Sequence, residues 1–446
     1  MATPSENSGS GLRRELGLFT TVNISVGLII GAGIFAVPSV IAGHLDSMGL
    51  ILGVWIVGGL MTLSGAFAFG ELAAAMPQTG GTYVYLREGY GPLIAFLFGW
   101  AQLLVINSGS YAALSTIFAS YVNFFVPTSI FGTKLIASGA VALVTALNFF
   151  GVKKAGAVQN VLTPLKVGVL LFIIGCGFLL GKGDWTNVTP IFNGFNKPGL
   201  LAAFGLALVS VLWTYDGWMD ICYASGEVKN PERTLPRTFV LSIASLVVVY
   251  LLVNLVYHYV LPHGDIQASD MVAADVAAKM LGPIGGTLIA ITVILSTFTA
   301  LNSTTLTGVR IFFAMARDGL FFKWVAKAHP RFHTPTGALL ISGVWSLLLI
   351  LSGTFEQLAT YFIFITWLFY GLAVGAVLVL RKKQPDLPRP YKTVGYPVTP
   401  IFFILAAALL LLNTVINSAV EALAGLGLLL LGVPVYFFWR RKHKSQ

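Results

Sequence analysis

The chain has 446 residues, of which 56% are hydrophobic and only 10% are charged, and its mean hydropathy is +0.84. A soluble domain carries roughly 25% charged residues, so this composition excludes an ordinary soluble protein. The formal net charge of +10 does not indicate nucleic-acid binding, because the basic residues lie in short loops and tails between long apolar segments.

Apolar stretches of about 20 residues recur along the chain, and each can cross a hydrocarbon core of roughly 30 Å. The polar start, Met1–Glu15, leads directly into the first stretch, which predicts that no signal peptide is cleaved. No polar stretch is long enough for a separate soluble domain. We predict twelve transmembrane spans, at about 17–43, 49–76, 92–125, 134–152, 156–181, 199–223, 238–261, 282–315, 337–353, 357–380, 398–416 and 420–439.

The basic residues are distributed asymmetrically between alternate loops. With a cytoplasmic N-terminus, most of the 27 basic residues fall in inner loops and tails. The positive-inside rule therefore predicts a multi-pass protein of the cell inner (plasma) membrane with both termini in the cytoplasm, where basic loops attract anionic lipid. The outer loops hold only Lys134, Lys182, Lys197 and Lys279.

The first span is interrupted by glycine. It contains the sequence VGLIIGAGIF at Val26–Phe35, followed by Pro38. Gly31 and Gly33 can release the backbone from helical hydrogen bonds. In hydrocarbon, such freed groups are tolerated only where they are buried in protein or line a polar cavity. The alternative is that these glycines merely allow close helix packing.

Lys166 lies about ten residues into the fifth span, which is roughly 15 Å deep at 1.5 Å per residue. A lysine at that depth does not reach the interface easily, so it predicts a functional charge. The alternative is a lysine that is paired only to stabilise the bundle.

The sixth span contains a second interruption. The sequence LWTYDGW at Leu212–Trp218 places Asp216 and Gly217 inside the apolar stretch, which then runs into Gly226–Pro236. A matched pair of broken helices indicates a transporter whose binding site lies near the bilayer midplane. The two breaks together therefore predict a carrier.

Motifs for other chemistries are missing from the sequence. The histidines are not clustered with cysteines, and Cys176 and Cys222 both fall inside spans, where they are expected to pack rather than to form a disulfide. Phosphate-binding loops, nucleophile elbows and HExxH pairs do not occur. We expect no enzyme activity, no metal, no cofactor and no ATP-driven transport.

Five motifs in order resemble the amino acid–polyamine–organocation superfamily, and specifically its bacterial exchangers similar to the L-type amino-acid transporters. The resemblance covers about residues 17–440. The motifs are GAGIF at Gly31–Phe35, GVKKAGAVQ at Gly151–Gln159 leading to Lys166, YDGW at Tyr215–Trp218 with GEVKNP at Gly226–Pro231, RIFFAMARDGL at Arg310–Leu320, and RPYKTVGYP at Arg389–Pro397.

The resemblance implies an all-α fold of two inverted five-helix repeats in which helices 1 and 6 are broken. Repeat one would cover about residues 17–181 and repeat two about 199–380, with two extra helices at about 398–440. Cytoplasmic tails would cover 1–16 and 441–446.

The resemblance also implies a substrate site at the two breaks. Half-helix N-termini present free N–H groups to anions, and C-terminal ends present carbonyls to cations. N–H groups around Ala32 and Gly33 would hold an α-carboxylate, and carbonyls of Ile29, Trp213 and Asp216 an α-ammonium. The Trp213 ring matches an aromatic that covers substrate in similar proteins; the alternative is a packing role.

In similar exchangers the lysine that matches Lys166 occupies the position at which sodium-coupled relatives bind Na⁺, between the first and eighth spans. Its ammonium would bond carbonyls near Gly31 and a polar group of span 8. The candidates on that span are Ser296, Thr297, Asn302 and Ser303. Either role of the lysine argues against sodium at this position.

The side-chain pocket and the acidic residues leave alternatives open. Asn107, Ser110 and Asn302 are candidates for the substrate pocket. Asp216 can cap the second half of span 6, attract a cationic substrate or carry a coupling proton. Asp220, one turn later, can face the cavity or another helix.

The sequence therefore predicts sodium-independent exchange of neutral L-amino acids by alternating access. The alternative is proton-coupled uptake of cationic amino acids or polyamines. A channel lacks support because no polar face recurs through the spans, and a sensor lacks an output domain. Glu227 and Arg310 are expected to form ion pairs that pin inner loops. The outer loop at 126–134 lacks the cysteine by which animal relatives bind a heavy chain, so no covalently linked partner is expected.

Overall fold

A computed structural model describes residues 12–269, 271–352, 355–417 and 419–444. Residues 1–11 and 445–446 of the predicted tails lie outside the described residues. The α-helices are α1 (Leu18–Ile29), α2 (Gly33–His44), α3 (Met48–Ala75), α4 (Thr82–Tyr90), α5 (Pro92–Ala101), α6 (Asn107–Val122), α7 (Ile130–Phe149), α8 (Val152–Leu179), α9 (Leu200–Thr214), α10 (Pro231–Val260), α11 (His263–Ala268), α12 (Val272–Leu281), α13 (Pro283–Arg317), α14 (Thr336–Ser352), α15 (Phe355–Lys383), α16 (Val398–Asn417), α17 (Ala419–Leu430) and α18 (Gly432–Lys444).

Long apolar helices dominate the described part of the chain. In it, nine helical stretches are long and apolar enough to cross a membrane, and α1, α9 and α14 are shorter apolar helices. The prediction of an all-α, multi-pass membrane protein is therefore confirmed. Two of the three shorter helices, α1 and α9, precede the predicted breaks.

The first predicted break is present. Helix α1 ends at Ile29 and α2 begins at Gly33, so three residues leave the helical path between them. The N–H of Gly31 turns back to the carbonyl of Ile29, at 2.9 Å, instead of continuing the helix. Carbonyl groups at the end of α1 consequently need partners from elsewhere in the molecule.

The second break also lies where the sequence predicts it, but its continuation differs. Helix α9 ends at Thr214, and Gly217 has a φ of +87°, a left-handed conformation that favours glycine. The chain then forms a 3₁₀ helix over Asp220–Glu227, so the prediction of a second α-helical half is wrong. Met219 is the N-cap of this 3₁₀ helix and no side chain caps it, so the capping role considered for Asp216 stays a prediction.

Two helices begin earlier than predicted because local residues start them. Helix α10 begins at Pro231 rather than near 238, since Asn230 is left-handed with φ of +46° and proline suits the first helical position. Helix α7 begins at Ile130 rather than near 134, since the Oγ of Ser129 accepts a hydrogen bond from the N–H of Gly132.

A π-helical turn interrupts the third span. It covers Gln102–Ile106, between α5 and α6. A π turn accommodates one extra residue, so the residues after it face a different direction from that expected of a continuous α-helix, and such turns are frequent at functional sites.

The two breaks pack against each other inside the bundle. Helix α1 contacts α8, α10 and α13, and α2 contacts α9. A Cβ on Gly33 would lie 2.8 Å from the Oγ1 of Thr214, and a Cβ on Gly217 would lie 3.2 Å from the Cβ of Leu28. Glycine at both positions therefore permits close contact between the two interrupted segments.

Candidate functional site

A cavity lies where the two breaks meet α6. Its volume is about 140 Å³, which is room for on the order of ten water molecules at roughly 10–15 Å³ of such volume each. Backbone and small side chains from both breaks line one side, and α6 lines the other. The lining residues are Leu28, Ile29, Gly31, Ala32, Gly33, Val105, Gly109, Ser110, Ala113, Leu114, Ile117, Trp213, Thr214, Asp216, Gly217, Asp220 and Thr304.

Most residues that the sequence predicted for the site line this cavity. Asp220 also lines it, which answers the question of which way that side chain faces. The Trp213 side chain is 40% exposed, as expected of a ring at a cavity rather than in a packed core. The predicted residues that line the cavity are Ile29, Gly31, Ala32, Gly33, Ser110, Trp213 and Asp216.

Asn107 and Asn302 do not line the cavity, so their assignment to the substrate pocket stays a prediction. The Nδ2 of Asn107 lies 3.3 Å from the Tyr111 hydroxyl, and its amide packs on Gly308 of α13. Asn302 binds Asn148 and the carbonyl of Ala155 on the other face of α13. Asn107 follows the π turn directly, and that turn changes the face on which it lies.

Backbone N–H groups of the first break are available to a ligand. The N–H groups of Ala32 and Gly33 form no hydrogen bond with a described residue. These groups belong to the start of α2, where the helix dipole also favours negative charge. The start of α2 therefore has the chemistry of an anion site that opens into the cavity.

Two of the three carbonyls predicted for a substrate ammonium already have partners. The Ile29 carbonyl accepts hydrogen bonds from the N–H of Gly31, at 2.9 Å, and from the Tyr250 hydroxyl, at 3.3 Å. The Trp213 carbonyl accepts one from the N–H of Asp216, at 3.2 Å. Sequence reasoning missed Tyr250, because a tyrosine within an apolar helix carries no local signal of its distant partner.

Lys166 lies behind the first break and is 1% exposed. Its Nζ donates to the carbonyl of Gly27, at 3.1 Å, and to that of Ile30, at 2.6 Å. The Ser296 hydroxyl of α13 lies 3.1 Å from the same Ile30 carbonyl and 2.9 Å from that of Gly31. The lysine thus lies between α8, α1 and α13, where it was predicted, and binds carbonyls that the break removes from the helix.

Only Ser296, among the span 8 candidates, takes part in this contact. The Thr297 hydroxyl instead donates to the Val293 carbonyl of its own helix. The Ser303 hydroxyl has no partner among the described residues. Where α8, α1 and α13 meet, one ammonium group and one hydroxyl therefore bind three carbonyls at the end of α1 and in the first break. These are the carbonyls of Gly27, Ile30 and Gly31.

Asp216 is connected to α15. The Tyr370 hydroxyl donates to its Oδ1 at 2.5 Å, a short bond of the kind formed with a carboxylate. Tyr370 was not predicted, and nothing in its sequence neighbourhood indicates this contact. The bond joins the second break to a helix far away in the sequence.

Ion pairs join α13 and the residue after it to the 3₁₀ helix of the second break and to α4. Arg310 of α13 binds Glu227 through two contacts, at 2.6 and 3.0 Å, and both side chains are buried. Arg87 binds Asp318 at 2.6 Å nearby. The expectation that Glu227 and Arg310 form ion pairs is confirmed. Removing one partner of a buried pair leaves an uncompensated charge, which is strongly destabilising.

A helical membrane bundle with two backbone breaks around a small cavity is the architecture of a carrier. A family model described as amino acid permease matches residues 16–431. The chain belongs to this family, within the amino acid–polyamine–organocation superfamily, and it is not an enzyme.

Individual relatives agree with this assignment. The chain is 36% identical to the human large neutral amino acids transporter small subunit 2, over 99% of this chain and 84% of the relative. It is 33% identical to the mouse b(0,+)-type amino acid transporter 1, over 96% and 88%. It is also 33% identical to the serine/threonine exchanger SteT of Bacillus subtilis, over 98% and 99%.

Proposed function

We propose that this protein exchanges small or medium neutral L-amino acids across the membrane, without sodium, by alternating access. The observation that supports it best is the cavity between the two breaks, which Ala32 and Gly33 line from the first break and Trp213 and Asp216 line from the second, and the N–H groups of Ala32 and Gly33 form no hydrogen bond with a described residue. The names of the relatives, two amino acid transporters and a serine/threonine exchanger, support the substrate class and the exchange mode.

We propose twelve spans for this function, with α1–α2 and α9 plus the 3₁₀ helix as broken spans 1 and 6. Spans 1–5 and 6–10 would form inverted repeats, with α16 and α17–α18 as the extra pair, and the termini would lie in the cytoplasm of a cell whose inner membrane holds the protein. The nine long and three shorter apolar helices support this count within the described residues.

Recognition of the α-carboxylate would depend on backbone rather than on a charged side chain. The free N–H groups at the start of α2 can donate two hydrogen bonds to one carboxylate. Because every α-amino acid has this group, the contact is shared by all substrates. The α-ammonium would bind the carbonyls of Trp213 and Asp216, which still have free lone pairs, and would replace the Tyr250 hydroxyl on the Ile29 carbonyl, with the Trp213 ring above it.

Sodium independence would follow from the Lys166 contact. Its Nζ already binds the carbonyls of Gly27 and Ile30, and the Ser296 hydroxyl binds that of Ile30 as well. Carbonyl oxygens that hold an ammonium group are not available to coordinate a Na⁺ ion. The lysine would therefore supply in every cycle the positive charge that an ion would otherwise bring.

The cavity and the ion pairs support an alternating-access cycle. Along the π turn and α6 the cavity lining extends from Val105 to Ile117, which is roughly 18 Å of helix. Arg310 lies about 9 Å beyond Thr304 along α13, in the opposite direction, where it binds Glu227. The structure has the features of a state closed at the ion-paired end, and opening would require that these pairs separate.

We propose that the chain works without a covalently linked subunit. The human relative is named a small subunit, whereas the name of the Bacillus relative includes no subunit. The 126–134 loop of this chain contains no cysteine, and both cysteines are free thiols within helical segments.

Uptake by proteoliposomes that contain only the purified chain tests this function. We expect uptake of radiolabelled serine, threonine or another small neutral amino acid when unlabelled substrate is inside, and little uptake into empty vesicles. Replacing sodium with choline should leave the rate unchanged within about twofold, since Lys166 occupies the carbonyls. A steep sodium requirement, or equal uptake without internal substrate, would contradict the proposal.

Asp216→Asn separates the charge of Asp216 from its hydrogen bond. An asparagine Oδ1 can still accept from the Tyr370 hydroxyl, so we expect transport of neutral amino acids within about twofold of the wild type and an unchanged pH profile from pH 5 to 8. Asp216→Ala removes the acceptor, and a hydrogen bond to a charged group contributes about 1.5–3 kcal/mol, so transport should fall about tenfold or more.

Tyr370→Phe is the matched variant and should resemble Asp216→Ala. The measurement is uptake of serine and of lysine by each variant across that pH range. If Asp216→Asn abolished lysine uptake alone, or removed a pH dependence, the carboxylate would be a counter-charge or a proton carrier and neutral specificity would be overturned.

A further inference from the structure

A second cavity lies on the outside of the bundle, between α7 and α14. It is a groove of about 350 Å³, remote from the cavity between the breaks. Its walls are apolar, and it is open because small side chains lie where the helices diverge. The small residues among its lining are Ala142, Ala146 and Gly343. In a membrane such a groove is filled by hydrocarbon.

The groove has the length of one leaflet. Its lining on α7 runs from Val141 to Phe149, which is about 12 Å at 1.5 Å per residue, and one leaflet of the hydrocarbon core is about 15 Å thick. On α14 the lining runs from Leu340 to Leu347. A single acyl chain that enters from one membrane surface would therefore follow the groove to its end.

Cations lie at one mouth of the groove. Phe149 and Phe150 line this mouth, and Phe332 packs on both at 5.8 and 5.5 Å between ring centroids. The Lys154 Nζ lies 5.4 Å from the Phe150 ring, and the Arg331 guanidinium lies 5.5 Å from the Phe332 ring. Both side chains are exposed, and neither forms an ion pair with a described residue.

The two segments of the chain that contain α7 and α14 have no acidic residues. Residues 126–183, which include α7 and α8, contain no Asp or Glu, and neither do residues 319–355, which include α14. The same two segments carry Lys154 and Arg331 at the mouth, with Lys153 beside Lys154 in the sequence. The mouth is therefore positively charged and has no built-in counter-charge, whereas the groove is apolar.

We propose that this groove binds an anionic diacyl phospholipid. One acyl chain lies between α7 and α14, and the phosphate lies between Lys154 and Arg331. Apolar walls alone would accept any lipid tail. The unpaired cations at the mouth select the negative head group, at about fivefold in affinity for each basic side chain near the surface.

Native mass spectrometry of the purified full chain in an equimolar mixture of phosphatidylglycerol and phosphatidylcholine with the same acyl chains tests the proposal. The wild type should retain phosphatidylglycerol with a preference of about 20- to 30-fold. Lys154→Gln/Arg331→Gln should remove most of that preference, and each single change about fivefold. Lys323→Gln/Lys327→Gln, at exposed residues of the same end but outside the groove, should leave it nearly unchanged.

A second pair of variants tests the groove itself. Ala146→Phe places a ring in the groove from an exposed position, so it should reduce phosphatidylglycerol binding several-fold. Leu143→Phe, on the lipid-facing side of α7 but outside the groove, should not. Equal retention of the two lipids by the wild type would overturn the proposal, as would unchanged binding by Ala146→Phe. Variants are compared only if they elute as monodisperse protein, and the single Lys154→Gln change serves where the double variant does not fold.

Discussion

Replacing Lys166 with alanine should reduce amino-acid exchange about tenfold or more and leave a folded protein. The ammonium is a partner of the Gly27 carbonyl, whose helical continuation is removed because the N–H of Gly31 turns to Ile29. A buried carbonyl left without a partner costs about 1–3 kcal/mol, and 1.4 kcal/mol is a factor of ten in an equilibrium. That cost affects the geometry of the first break, and with it the start of α2.

Ser296→Ala is the matched control for Lys166→Ala. It removes a second donor to the Ile30 carbonyl, on which the Lys166 ammonium remains at 2.6 Å, and it removes the donor to the Gly31 carbonyl, whose residue lines the cavity where water can replace the hydroxyl. We expect a loss of about threefold or less. Exchange rates in proteoliposomes and thermal unfolding in detergent are measured together. Normal exchange by Lys166→Ala would show that the lysine has only a packing role. If the variant unfolds at a lower temperature but its folded fraction exchanges normally, the lysine only stabilises the bundle.

Gly33→Val should weaken binding of every amino-acid substrate to a similar degree, by about 10- to 100-fold. A Cβ on Gly33 would lie 2.8 Å from the Thr214 Oγ1 and 3.1 Å from the Thr214 Cα, so the two breaks would have to separate. The added methyl groups would also obstruct the N–H groups that we assign to the carboxylate. Hydrogen bonds to a charged group contribute about 1.5–3 kcal/mol, and the carboxylate is common to all substrates.

Gly31→Ala is the control for Gly33→Val at the same break. A Cβ on Gly31 would meet only the Leu114 Cδ2, at 3.8 Å, which is ordinary contact. We expect its affinity to stay within about threefold of the wild type. Thr214→Ala should partly rescue Gly33→Ala, since it removes the two closest side-chain atoms of Thr214.

Competition by amines that lack a carboxylate completes the Gly33 experiment. Agmatine and putrescine should compete poorly with serine in the wild type, because they have no group for the N–H groups of Ala32 and Gly33. If either amine competed as well as an amino acid, the assigned carboxylate contact would be wrong and the polyamine alternative would gain support.

The positions of both breaks could be predicted from sequence because glycine in an apolar span is a local signal. Gly31 and Gly33 lie within two residues of the places where the first helix ends and resumes, and Gly217 lies three residues after the end of α9 and three before the 3₁₀ helix. Lys166 could be predicted for a similar reason, since a lysine deep in an apolar segment is conspicuous and requires partners. Its partners are carbonyls of a segment that is itself marked by glycine.

Which side chains meet at the cavity was decided by tertiary structure. The π turn at Gln102–Ile106 changes the face of α6, so Ser110 lines the cavity and Asn107 packs on Gly308. Nothing in a single sequence distinguishes those two polar residues, because a π turn leaves no reliable local pattern.

Hydrogen bonds from hydroxyl groups to residues far away along the chain could not be predicted from the sequence either. Tyr250 binds the Ile29 carbonyl and Tyr370 binds Asp216, across separations of 221 and 154 residues. The sequence by itself thus determined that the chain crosses the membrane many times, where its helices break and that a buried cation lies near one break. Only the packing of distant helices determined which polar groups bind those breaks, because hydrogen bonds between helices depend on register and rotation, and these are set by the whole bundle.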